Sequence, residues 1–295
     1  MREKNHMARV RLAKKTGFCF GVRRAVAMAE GALKRSKGNI SSFGSIIHNA
    51  QVVKELSKKG LKVVKDIKRV KPGGSLVISS HGLSPRIYED IAKRGIEIID
   101  ATCPFVLNAQ KIAKRLKRKG CRVVIVGEAS HPEVRALVDF APGAAVIKDK
   151  LEAKSLGIKR SEDIGVISQT TQSPANFSDV VRVMARAKPK SLTVVNTICN
   201  DAEERQNLAK ELAKEVDLML VVGGRDSANT RRLFEVCRKI LKDTHLVETD
   251  KDVKGRWLKA KDVVGITSGA STPDWVIKKI VDKLKSNERG CVTNG

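Results

Sequence analysis

Cys19, Cys103 and Cys199 stand where a thiol can do chemistry. They lie in TGFCFGV, DATCPFV and NTICNDA, each in a short loop between a strand-like apolar run and an amphipathic helix-like run. A helix start offers N–H groups and the positive end of the helix dipole, and both favour thiolate over thiol. Pro104 suits the first helical position, where no N–H is needed. Cys121, Cys237 and Cys291 have no equivalent positions and read as a strand residue, a helix residue and a tail residue. There is no C-x-x-C pair, and a cytoplasmic chain of 295 residues needs no disulfides. Three equivalent thiolates suit a soft metal centre. Structural zinc takes four protein ligands at short paired spacing, and ordinary iron–sulfur carriers use four cysteines. Three ligands would leave one iron of a 4Fe–4S cluster without a protein bond, and an open metal position is where chemistry takes place.

The elements that must position these thiols repeat three times. A strand, a cysteine loop and a helix recur at 10–33, 96–120 and 192–216. In the second copy Phe105, Ala109, Ile112, Ala113 and Leu116 share one helical face, and Gly120 follows as a C-cap. A strand, a Gly-containing loop and a helix recur at 40–56, 122–137 and 217–234. A strand, a Ser/Thr-rich loop with proline and a helix recur at 75–94, 164–184 and 263–281. Short strands are expected at 61–66, 144–149 and 244–249. The chain therefore reads as three α/β modules of about 90 residues, at 9–101, 102–191 and 192–285, with a tail at 286–295. Such alternation predicts mainly parallel sheets with helices on both faces and ligand loops at the strands' carboxyl ends. Three modules can pool those edges around one central site.

The remaining loops carry His48, His131 with Glu133, and Ser227 with Asn229, then His81, Thr170 and Ser271. Imidazole, hydroxyl and amide donors at helix starts suit an anion such as phosphate. Glu133, beside a histidine, can hold or relay a proton in a closed cavity. Arg135 and Arg231, one turn further on, add positive field. Neither G-x-G-x-x-G nor G-x-x-x-x-G-K-[ST] occurs, so the usual nucleotide cofactors are not expected.

The net charge of +26 is compatible with a nucleic acid, an anionic substrate, an acidic protein partner, or simply a soluble lysine-rich surface. A basic stripe interleaved with aromatics is missing, as is any RNA-recognition or zinc-finger spacing, so no nucleic-acid partner is expected. Aromatics are 3% of the chain, so its cores must rest on Val, Ile, Leu and Ala. No apolar run reaches about 18 residues and MREKNHMARV lacks an apolar leader core, so neither a membrane span nor a signal peptide is expected. Two other classes fit parts of this pattern: a basic RNA- or ribosome-associated protein with a structural metal, and an iron–sulfur electron carrier without a substrate.

The segments GFCFGV, HNAQVV, SSHG, DATCPFV, HPEV, SQTTQS, NTICND, DSANT and GASTPDW, in this order from about residue 9 to 283, resemble the 4-hydroxy-3-methylbut-2-enyl diphosphate reductase family. The resemblance implies a cytoplasmic enzyme of non-mevalonate isoprenoid biosynthesis, with three modules in pseudo-threefold array. It implies one 4Fe–4S cluster per chain, ligated by Cys19, Cys103 and Cys199, with an open iron site. It implies that His48, His81, His131, Thr170, Ser227, Ala228, Asn229 and Ser271 bind substrate, with Thr170 and Glu133 catalytic and Glu133 delivering the proton. The implied reaction is a two-electron reductive dehydroxylation of an allylic diphosphate to isopentenyl and dimethylallyl diphosphate, fed by ferredoxin or flavodoxin. The chain departs from the family pattern at Ala228, where a second serine is common and only a backbone donor is left. It departs also at Phe105, in place of an aliphatic residue, and at Asn200 and Asp201. Asp201 brings negative charge near a ligand thiolate and is expected to shift the cluster's potential. No further domain is expected after residue 285.

Overall fold

The structure, a computed structural model, describes residues 9–35 and 39–286. Cys291 and all of the expected tail except Ser286 lie outside the described residues.

β1 (Arg9–Leu12) leads through the Cys19 loop into α1 (Phe20–Arg35). β2 (Ile40–Phe43), α2 (Ala50–Lys58), β3 (Lys62–Val64), β4 (Ser75–Ile78), α3 (Pro85–Lys93) and β5 (Glu97–Asp100) follow. The same succession returns as α4 (Pro104–Arg118), β6 (Arg122–Val126), α5 (Pro132–Phe140), β7 (Ala145–Ile147), α6 (Lys150–Lys154), β8 (Asp163–Ser168), α7 (Pro174–Arg186) and β9 (Ser191–Val194). It returns again as α8 (Asn200–Ala213), β10 (Leu218–Val222), α9 (Ala228–Arg238), β11 (Thr244–Val247), β12 (Val263–Ser268) and α10 (Asp274–Ser286).

The strands form three four-stranded sheets, ordered β3-β2-β4-β5, β7-β6-β8-β9 and β11-β10-β12-β1, with every neighbouring pair parallel. Central strands are largely buried: all five residues of β10 are, and so are Ile40, Ser41 and Ser42 of β2. That continuous burial is what a parallel strand covered on both faces requires. The described residues group into two compact units. One, the third-sheet unit, holds the described part of Met1–Cys19, His48–Ala50 and the described part of Asp201–Gly295. The other, the two-sheet unit, holds the described part of Phe20–Ile47 and Gln51–Asn200.

Sheets and sequence repeats are offset by one strand. Each strand that precedes a cysteine loop completes the sheet of the preceding repeat: β5 pairs with β4, β9 with β8, and β1 with β12. Residues 9–12, which open the first repeat, thus hydrogen-bond in the third sheet, and 192–194, which open the third repeat, in the second.

On α4, Ala109, Ile112, Ala113 and Leu116 are buried in one apolar cluster with Val123, Ile125 and Leu137. Phe105 departs from the expected face and is 39% exposed, while Val106 takes the buried place. It sits in the first helical turn, two residues after Cys103. Gly120 follows this helix with φ +79°, the left-handed C-cap conformation that glycine adopts without strain.

Candidate active site

The cysteine loops share one backbone device. Cys103 donates its N–H to the Ser80 carbonyl at 3.0 Å, Cys199 to Thr170 at 2.8 Å, and Cys19 to Ala270 at 3.1 Å. Each acceptor lies just beyond the strand paired with the one that leads to the cysteine. Each cysteine immediately precedes a helix, and Cys103 is the N-cap before Pro104. All three are half-buried, whereas Cys121 and Cys237 are buried in apolar clusters. Burial pushes the Cys237 thiol up to about 12, so it stays protonated and inert. Three half-exposed soft donors at helix starts have the chemistry an iron–sulfur core needs.

In the two-sheet unit the cysteine loops are held by side-chain turns. Asp100 Oδ1 accepts the Thr102 N–H at 2.9 Å and its hydroxyl at 2.5 Å, and Oδ2 accepts the Tyr88 hydroxyl at 2.9 Å. Arg24 donates to the carbonyls of Thr102 and Asp100. Asn196 Oδ1 likewise accepts the Ile198 N–H at 3.0 Å, and Thr197 donates to the Ser168 carbonyl at 2.5 Å. In both, an Asx turn ends one residue before the cysteine.

Glu133 is 2% exposed, in the first turn of α5. Its Oε1 accepts the Thr170 N–H at 2.6 Å and its Oε2 the Thr170 hydroxyl at 2.7 Å. Burial raises its pKa to about 7; the two bonds from Thr170 oppose that rise without cancelling it. Because the Thr170 carbonyl accepts from Cys199, this acid lies two residues' bonding away from a cysteine loop. His131 caps α5, its Nδ1 accepting the Glu133 N–H at 3.2 Å. The His81 ring meets that of His131 edge-on, with centroids 5.4 Å apart. Gly82 has φ +74°, and a Cβ there would lie 2.5 Å from Gln110 Nε2, so the loop carrying His81 requires glycine.

In the third-sheet unit Ser227 caps α9, accepting the Thr230 N–H at 3.4 Å. Ser271 Oγ bonds to Ser227 Oγ at 3.4 Å and donates to the His48 carbonyl at 3.1 Å. Asn229 is 4% exposed and both its amide atoms lack a partner among the described residues. A buried amide without partners is costly unless a ligand completes it. Ala228, first residue of α9, is buried and offers only its backbone to this group.

Asp201 differs from expectation in its surroundings: its carboxylate pairs with Arg205 Nε at 2.7 Å and Lys15 Nζ at 3.0 Å. Arg205 is 1% exposed and also reaches the Ser268 carbonyl. The negative charge is compensated where it stands. Asp100, Tyr88, Arg24, Asn196 and Thr197 escaped the sequence reading; Asp or Asn three residues before a cysteine is the signal that marks two of them.

Parallel sheets flanked by helices, with cysteines and a buried acid in the loops at the strand ends, are the build of an α/β enzyme. The family model described as LytB protein matches residues 10–285, and the chain belongs to that family. Among its relatives, the protein named 4-hydroxy-3-methylbut-2-enyl diphosphate reductase from Caldanaerobacter subterraneus subsp. tengcongensis is 40% identical, covering 93% of this chain and 96% of that one. The one so named from Geobacter sulfurreducens is 41% identical with the same coverages. A solved E-1-hydroxy-2-methyl-but-2-enyl-4-diphosphate reductase from Plasmodium falciparum superposes with TM-score 0.89 at 28% identity, over 93% of this chain and 87% of that one. A solved (E)-4-hydroxy-3-methyl-but-2-enyl diphosphate reductase has TM-score 0.69 at 38% identity, over 95% and 100%. The chain is accordingly an enzyme, an oxidoreductase. No helix among the described residues is long and apolar enough to cross a membrane.

Proposed function

We propose that this chain carries out the reductive dehydroxylation of 4-hydroxy-3-methylbut-2-enyl diphosphate, yielding isopentenyl and dimethylallyl diphosphate. The observation that carries the reading is the Glu133–Thr170 pair: a buried acid with a pKa of about 7, bonded to a hydroxyl whose own carbonyl anchors a cysteine loop. Two electrons and two protons enter; the allylic C–O bond breaks, a C–H bond forms at either end of the allyl unit, and water leaves.

In this reading Cys19, Cys103 and Cys199, one from each of the modules 9–101, 102–191 and 192–285, hold one 4Fe–4S cluster. That cluster, with an iron lacking a protein ligand, supplies Lewis acidity and single-electron transfer from a ferredoxin or flavodoxin. Protonated Glu133 delivers a proton from its Oε atoms, and burial raises its pKa to about 7, so that a proton-bearing fraction persists near neutral pH. Thr170 donates to Glu133 Oε2 and so orients the acid toward the substrate's hydroxyl. Asn229, Ser227, Ser271 and the first-turn backbone of α9 at Ala228 bind the diphosphate; the partnerless buried amide of Asn229 supports that role. His48, His81 and His131 complete the anion's surroundings, and the fixed tail orients the reacting end. The basic surface suits an acidic donor protein, and reduced thiols suit the cytoplasm.

The test is anaerobic reconstitution followed by turnover with a chemically reduced donor, both isomeric products being resolved. The reading expects brown protein with about four irons per chain and both products. Cys103→Ser should lose most of its iron, because a hydroxyl is a poor soft-metal ligand. Colourless protein with one zinc, or full iron in the Cys103→Ser variant, would overturn it.

A further inference from the structure

We propose that a second cavity of the third-sheet unit, apart from the residues assigned above, is a binding site for an organic diphosphate. The cavity holds about 660 Å³, within the range of small-molecule sites. One wall is the outer face of α9, where Arg231, Phe234 and Arg238 recur at spacings of three and four. The opposite wall comes from the turns after β11, with Lys251, Lys254 and Trp257. Arg225 also lines it but is ion-paired with Glu248 at 3.6 Å and Asp252 at 4.0 Å, while Arg231 donates to the Arg225 carbonyl at 3.5 Å and Arg238 to the Thr244 carbonyl at 3.4 Å. Asp252, the acid in the lining, also has its Oδ2 bound by the N–H groups of Glu248 and Thr249, both at 2.9 Å. Five cationic side chains and one carboxylate line it.

The aromatic groups are held in place as well. Trp257 stacks on His245 with ring centroids 3.8 Å apart and planes 2° apart. Lys254 Nζ lies 5.7 Å from the Trp257 ring centre, and the Arg238 guanidinium 5.6 Å from that of Phe234. Phe234, Leu246 and Trp257 give the cavity an apolar side next to its cations. Multiple cations suit a polyanionic head, and the apolar side suits an unsaturated or planar body. Inorganic pyrophosphate would use only the first feature. A prenyl diphosphate and a nucleoside diphosphate share the chemistry and are separated by experiment. The same helix begins with Ser227 and Asn229, so an occupant here touches the element that carries part of the proposed substrate site.

Trp257 reports on the cavity, and the other tryptophan is Trp275. In a Trp275→Phe holoenzyme, geranyl diphosphate, ADP and pyrophosphate are titrated against intrinsic fluorescence. A saturable change with geranyl diphosphate identifies a prenyl ligand and one with ADP a nucleotide; either supports the site. The exposed pair Lys251→Glu/Lys254→Glu should weaken that binding about tenfold or more, leaving the KM for the allylic substrate within about twofold. Asn229→Ala should leave the fluorescence titration unchanged. Three results overturn the proposal: no saturable change with either organic ligand, pyrophosphate binding as tightly as both, or a signal lost in Asn229→Ala yet kept after charge reversal. The fluorescence readout needs no turnover, so it decides the matter even if the proposed reaction fails.

Discussion

The loops after β6 and β8 and the loops after β10 and β12 occupy matching places in sheets of the same order, yet they are finished differently. In the two-sheet unit the polar centre is closed: both oxygens of Glu133 are bonded to Thr170, and the residue is buried. In the third-sheet unit the centre is open in the chemical sense: buried Asn229 has donors and an acceptor with nothing among the described residues to meet them. A closed acid stores a proton, because its environment, not a partner's charge, sets its pKa. An unmatched amide at a helix start has hydrogen-bonding capacity to spare. Duplicated architecture thus supports two chemistries through the choice of a few loop side chains.

The sharpest way to break this comparison is Glu133→Gln. The amide keeps the shape but cannot give up a proton, so turnover should fall about 10²–10⁴-fold, with iron content and substrate binding retained. Turnover within about threefold of wild type would remove the proton role. Thr170→Val is the companion test. It takes away the hydroxyl bonded to Oε2, raises the acid's pKa further and moves the alkaline limb of the pH–rate profile upward.

Stability against pH distinguishes the two units next. Glu133 titrates at about 7 when folded against 4.5 for its ordinary value. A raised folded pKa contributes fully below about pH 4.5, and that contribution is lost as pH rises through about 7. The loss is roughly 3 kcal/mol, the differential cost of a charged carboxylate in a buried site. Denaturant unfolding at pH 5 and pH 8 should show it in the wild type and lose most of it in Glu133→Gln. Equal pH dependence in both proteins would mean the carboxyl is solvated.

Asn229→Ala tests the open centre. Truncation should raise KM about 10–100-fold with little change in kcat, because uniform binding of the anion is lost. It should leave folding stability nearly unchanged, since the amide has no partner among the described residues to lose. A large loss of stability instead would show that the amide is structural.

Much of this was legible along the chain, for reasons that are local. Strand, loop and helix recur with their own periodicities, so parallel α/β sheets and the cysteine and polar loops can be read off 9–285. Which sheet a strand joins is decided by pairing far along the chain, and so β1 lies beside β12 without any local sign. Phe105 shows a finer limit: helical periodicity puts it on the apolar face, but in the first turn of α4 it is exposed and Val106 is buried instead. Asp201 reads as a bare charge because Lys15, one of its two partners, is remote in sequence, while Arg205 at i+4 was visible. The Tyr88–Asp100 bond joins two elements and leaves no pattern at all.

The smallest expected effect concerns how each unit fastens its cysteine loops. Asn196 and Asp100 close Asx turns before Cys199 and Cys103, but Thr16 stands at the matching place before Cys19. There the Gly17 N–H instead donates to the Ser268 hydroxyl at 2.9 Å, reaching across to the end of β12. Gly17 has φ +75°, and a Cβ at that position would overlap the Asp274 carboxylate, so the loop is glycine-dependent where its counterparts are Asx-dependent. Asn196→Ala and Ser268→Ala each delete one hydrogen bond and should each cost about 1 kcal/mol. Asp100→Ala also releases the Tyr88 and Thr102 hydroxyls, three hydrogen bonds in all, so it should cost about three times as much. Asn196→Asp restores the acceptor and should recover the loss, whereas no acidic or amide residue at 16 can replace the Ser268 bond. If Ser268→Ala is silent while Asn196→Ala is not, the Cys19 loop is held by its backbone alone, through the Ala270 carbonyl, and the two units differ in rigidity as well as in chemistry.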